Sequence, residues 1–182
     1  EDCFDVSSRG YLENYTGNYT HLTIPSTLKG KVIYGLEPSV FKHTNIESIT
    51  LPDTCTTIGG YAFQYCKNLK YIYAPNVTKL YISAFNECVS LTSVCDQHPS
   101  SSTDSGAYLP QLTETIGFSF SGCTQLKSVS SSKLTTLGDI GYDFQACANL
   151  TQVYLPSITS IPEGTFKLCE SLTGTFYVSP LV

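Results

Sequence analysis

Apolar residues recur along this chain in steps of three, not in the 3.6-residue rhythm of a long amphipathic helix. Phe63, Cys66 and Leu69 make one such triplet. The same Phe-x-x-Cys-x-x-Leu pattern returns at Phe85-Cys88-Leu91, Phe120-Cys123-Leu126, Phe144-Cys147-Leu150 and Phe166-Cys169-Leu172. In the first four copies a β-branched residue follows, at Ile72, Val94, Val129 and Val153, and a Pro or small residue ends the run at Pro75, Ser132 and Pro156. A weaker copy starts at Phe41, with Thr44 in the Cys place and Ile46, Ile49, Leu51 and Pro52 after it. The Phe-to-Phe distances are 22, 22, 35, 24 and 22 residues.

The segments Ile46–Leu51, Leu69–Ala74, Leu91–Cys95, Leu126–Ser130 and Leu150–Leu155 alternate apolar with polar or aromatic positions, which predicts half-buried strands. A second apolar cluster, such as Val77-Leu80-Ile82 or Ile158-Ile161, turns the chain back. An Ala-Phe or similar pair then enters a predicted short helical turn. A unit of about 22 residues cannot bury its own apolar face, whereas stacked copies bury a continuous core. The expected architecture is therefore a solenoid: a β-rich right-handed coil with a parallel sheet along one face and short helical turns. Residues 1–20 are expected to form a lead-in or cap, and 21–182 an array of about six coils. The repeated Phe residues should be buried against one another.

The recurring Ala-Phe-x-x-Cys-x-x-Leu-x-x-Ile-x-x-Pro, fullest from Ala62 to Pro75, resembles the BspA-type (Treponema-type) leucine-rich repeat. The stretch Glu13–Gly17 through Leu22–Val32 resembles the lead-in coil of such arrays, and the likeness covers about residues 11–180. It implies a repeat solenoid of the leucine-rich-repeat type. It also implies an extracellular or cell-surface protein, some relatives being adhesins for host matrix proteins. The sequence departs from the pattern twice: at an insertion over 95–107, and where Ser130-Ser131-Ser132 replaces a strand ending in Pro.

Composition narrows the function. The chain has 182 residues, 14% of them charged, and a net charge of −5, so it lacks the basic patch that nucleic-acid binding needs. No apolar run approaches the length of a membrane span. It opens at Glu1-Asp2-Cys3 without Met, as a trimmed export product would. Five of the eight cysteines share one repeat position, and Cys55 falls where other coils carry Val77, Leu112, Leu134 and Ile158, so these read as unbridged core residues. Cys3 and Cys95 are left nearer the surface. No two cysteines have the close spacing of a zinc site, and neither a metal nor a cofactor is expected. His21, His43 and His98 lie on different coils or loops, and no nucleophile elbow or phosphate loop occurs. His98 follows Cys95 by three residues, but a Ser-rich loop without a third orienting residue does not make an active site. The chain reads as a binding protein, not an enzyme.

In a stacked array, outward strand positions form columns on one face. One column reads His21, Ser48, Tyr71, Ser93, Ser128 and Gln152; the next reads Thr23, Thr50, Tyr73, Cys95, Ser130 and Tyr154. Tyrosines are rigid amphipathic contacts enriched at interfaces. The candidate contact residues are accordingly Tyr71, Tyr73, Tyr154, His21 and Gln152, although tyrosines also suit strands for purely structural reasons. The expected partner is a protein or glycan, host matrix proteins among them, met by a monomer. A structural spacer within a larger surface protein is the alternative. Asn-x-Thr sequons begin at Asn14, Asn18, Asn76 and Asn149.

Overall fold

The computed structural model describes residues 3–98 and 106–178. In chain order the strands are β1 (Phe4–Val6), β2 (Tyr11–Tyr15), β3 (His21–Thr23), β4 (Thr27–Leu28), β5 (Lys31–Val32), β6 (Gly35–Leu36), β7 (Ser48–Thr50) and β8 (Thr57–Ile58). They continue as β9 (Tyr71–Tyr73), β10 (Lys79–Leu80), β11 (Ser93–Cys95), β12 (Gly106–Tyr108), β13 (Glu114–Thr115), β14 (Ser128–Ser130), β15 (Gln152–Leu155) and β16 (Phe176–Val178).

Each predicted strand is present but short, because its leading Leu closes the preceding turn: the Leu69 amide donates to the Cys66 carbonyl at 3.0 Å, and pairing begins only beyond it. In β7, β9, β11 and β14 the central residue is buried and its neighbours half-exposed, as the alternation required. These strands form an eight-stranded front sheet in the order β16-β15-β14-β11-β12-β9-β7-β3, all its pairs parallel. A back sheet, which the sequence reading did not separate out, runs β1-β2-β6-β8-β10-β13. It arises where the second apolar cluster of each coil pairs sideways, Leu80 aligning with Ile58 and Thr115.

The expected helical turns are absent: among the described residues no helix forms. Each turn has two left-handed positions four residues apart, Ser39/His43, Tyr61/Tyr65, Ser83/Glu87, Phe118/Gly122, Tyr142/Ala146 and Gly164/Leu168, with φ between 53° and 74°. A left-handed residue stops helix propagation and costs about 1–2 kcal/mol when it is not Gly. Lateral bonds offset that cost. Alternate amides donate to the next coil, Tyr61 to Ile82, Phe63 to Ala84 and Tyr65 to Asn86, while the amides between them close turns within the coil. The turn side is thus a third ladder, and the three-residue step of the sequence follows the turns that bond the Cys66 amide to the Phe63 carbonyl and the Leu69 amide to the Cys66 carbonyl.

Behind that ladder the rings of Phe41, Phe63, Phe85, Phe120, Phe144 and Phe166 stack at 5.2–5.5 Å with interplanar angles of 10° or less. The first five are fully buried. Phe166 and Cys169, expected to be buried, are only half-buried because no further described coil covers them. At the other end, Phe4 and Tyr15 tilt against Phe41 at 78° and 55°, and the antiparallel β1–β2 pair lies over the stack.

Candidate functional site

The front sheet carries the candidate residues, and its strand order corrects their neighbours. The sequence columns placed Cys95 beside Tyr73. In the structure β12 lies between β9 and β11, so Tyr73 aligns with Tyr108, and Cys95 comes one strand later. The 95–107 insertion is thus not only a loop: its end supplies a strand, while 99–105 lie outside the described residues. The signal was present, since Ala107-Tyr108-Leu109-Pro110 repeats the Val153-Tyr154-Leu155-Pro156 ending. It was missed because Gly106 and Ala107 carry no strand-forming side chain. The extra strand has no counterpart elsewhere. From Phe63 to Phe120 the ring stack takes two steps, while the front sheet takes three from β9 to β14.

Tyr71 and Tyr73 stand on β9, half-buried. Tyr73 stacks on Tyr108 at 5.3 Å and 15°, and His98 meets both rings edge-on at 5.8 and 5.3 Å. Sequence reasoning overlooked Tyr108 and gave His98 no place in the face. Burial raises the phenol pKa of Tyr71 and of Tyr108. The insertion is anchored at its start by Asp96, whose Oδ2 accepts the Ser132 amide at 2.7 Å. Burial pushes the Asp96 carboxyl up, but the hydrogen bonds from Ser132 and Gln97 outweigh it, so the group titrates below its ordinary value. The Cys95 thiol donates to the Gln97 carbonyl at 3.3 Å, and His98 packs on tyrosines.

Gln152 and Tyr154 project from β15, both exposed, and Tyr154 stacks on Tyr177 of β16 at 5.2 Å and 23°. A hollow of about 310 Å³ opens beside them over Ser128, Ser130 and Thr175. His21 lies on the edge strand β3, its Nδ1 sharing a hydrogen bond with Ser48 Oγ at 2.7 Å. The five candidates therefore share one face without forming one pocket. Four strand intervals, about 19 Å, separate β9 from β15. Among the described residues, no group of three His, Cys, Asp or Glu side chains is placed to hold a metal, and no helix is long and apolar enough to cross a membrane.

The repeat behind this face is that of a known family. Residues 34–108 and 105–180 match the BspA type leucine rich repeat region in six copies, and the chain belongs to that family. Solved structures share the fold. A Treponema pallidum leucine-rich repeat protein superposes with a TM-score of 0.68 over 98% of this chain and 97% of its own, at 17% identity. A Bacteroides ovatus leucine-rich repeat protein gives 0.71 over 91% of this chain at 23% identity, and a Eubacterium ventriosum one 0.58 over 91% at 21%. This chain spans 41% and 52% of those two proteins. No curated protein sequence matches it.

Proposed function

We propose that this chain is a monomeric recognition module of a surface or secreted protein, binding a protein or glycan through its front sheet. Residues 1–20 act as the cap and 21–182 as the array. Tyr71, Tyr73, Tyr154, His21 and Gln152 lie on the contact face. The observation that carries the reading is the Tyr73–Tyr108–His98 cluster, built by an inserted strand that the coil itself does not need. Aromatic anchors of this kind concentrate binding energy at interfaces. The front columns carry almost no charge, which favours a ligand held by apolar and hydroxyl contacts. The reading is tested by screening the chain against host matrix proteins and glycan arrays, with a Tyr71→Ala/Tyr73→Ala variant alongside. Loss of capture by a variant whose cooperative melting shows it folded supports it, and undiminished capture overturns it.

A further inference from the structure

The hollow beside Tyr154 has a composition that selects its occupant. Tyr154 is 47% exposed, and register puts Tyr177 on one side of its ring and Ser130 on the other. One ring face is therefore covered by an aromatic stack that holds it upright, and the other looks across a small side chain into the hollow. Ser128, Ser130, Gln152 and Thr175 line it beside Tyr154, so its polar side chains are neutral hydroxyls and an amide. Among the described residues, no charged side chain lines it. Asp96, which touches Ser130 at 3.5 Å, has its other oxygen committed to the Ser132 amide.

We propose that this hollow binds one pyranose unit of a glycan, its apolar C–H face against the open face of Tyr154 and its hydroxyls on Ser128, Ser130 and Gln152. The inference rests on the front-sheet reading above and names its ligand class. A pyranose has one C–H face and a rim of neutral hydroxyls, the complement of one ring face beside neutral donors and acceptors. A hollow of about 310 Å³ lies at the small end of the range for ligand sites, which suits a single ring unit and not a folded partner. A peptide adding as a strand needs an open sheet edge. The hollow instead lies over β14 and β15, which are paired with each other and with β11 and β16.

The test is saturation-transfer NMR on the intact chain with the methyl pyranosides of glucose, galactose, mannose and N-acetylglucosamine. At least one should receive saturation, strongest on the protons of one ring face. Tyr154→Ala should weaken that glycoside about tenfold or more, whereas Tyr154→Phe, which keeps the ring, should bind like the parent. Ser130→Phe should fill the hollow and abolish binding, with melting temperatures reporting that each variant is folded. The proposal is overturned if none of the four glycosides receives saturation, or if Tyr154→Ala binds as the parent does. If glycosides fail while a captured protein still depends on Tyr71 and Tyr73, the pyranose site falls and the front-sheet reading stands. If a glycoside binds through Tyr154 while the Tyr71→Ala/Tyr73→Ala variant loses no ligand, the pyranose site stands and the wider contact face falls.

Discussion

The thiol of Cys88 donates to the carbonyl oxygen of Phe63, one coil earlier, at 3.1 Å. That oxygen also accepts the amide of Cys66, three residues on in its own coil, at 3.0 Å. The contact recurs from Cys66 to Phe41, Cys123 to Phe85, Cys147 to Phe120 and Cys169 to Phe144, at 2.9–3.3 Å. A small apolar side chain with a weak donor fits this column, which gives a physical reason for Cys at the repeated position.

All five column residues are free thiols, and burial pushes each of their pKa values up. A protonated, buried thiol is a poor nucleophile. The native chain should therefore leave Cys66, Cys88, Cys123 and Cys147 unlabelled by an alkylating reagent at neutral pH. Denaturation without reductant should release at least the five column thiols, and recovering fewer would show the column bridged.

Phe120 sits inside the ring stack, with Phe85 at 5.3 Å and Phe144 at 5.5 Å. Phe120→Ala should cost about 3–5 kcal/mol in denaturant unfolding, because stacked rings on either side cannot collapse into the cavity. Phe166→Ala should cost clearly less, since Phe166 is only half-buried.

Ala146 holds φ at 57°, a left-handed position that a Cβ disfavours. Ala146→Gly should raise stability by about 0.5–1 kcal/mol, the relieved strain exceeding the added unfolded-state entropy. The equivalent column position in the Phe120 coil is already Gly122, with φ 74°. A loss of stability on this change, measured as a lower denaturation midpoint, would contradict the assigned turn geometry.

Asp143 replaces the Ala that precedes Phe63 and Phe85, and it is fully buried. Burial raises its carboxyl from 3.8 to about 6, partly offset by hydrogen bonding from Ser119, while Oδ2 has no partner among the described residues. A carboxyl raised in the folded state contributes stability that is complete below pH 4 and lost as pH rises through about 6. Between those limits the parent should lose about 3 kcal/mol. Asp143→Asn should flatten that slope in denaturation midpoints measured across the window; an unchanged slope would place its origin elsewhere.

Much of this fold was legible in the sequence because every coil repeats the same solution: the Phe, Cys and Leu positions all face one core. What escaped were features carried by hydrogen bonding without a side-chain signature. The two-residue back strands leave no alternation to read, as at Lys79-Leu80. The turns look helical from Ala62-Phe63, but Tyr61 and Tyr65 adopt left-handed backbone because lateral bonds to the next coil, not composition, hold them there. On β9, Tyr71 and Tyr73 flank the buried Ile72 and share one side of the strand, as the alternation required. Its real neighbour, Tyr108, was hidden behind an insertion whose return point only the Leu109-Pro110 ending marks.

The central claim is that the front sheet is the recognition surface, and binding affinity measured on matched variants tests it most directly. With a ligand from the matrix-protein and glycan screen in hand, its Kd should be compared for the parent, Tyr71→Ala/Tyr73→Ala and the back-sheet change Lys79→Ala. The account predicts a rise of about thirtyfold or more for the tyrosine variant, as for an anchor worth about 2 kcal/mol. It predicts little change for Lys79→Ala, whose side chain pairs with Glu114 on the other sheet. An unchanged Kd for the tyrosine variant, or a greater loss from Lys79→Ala, would contradict it.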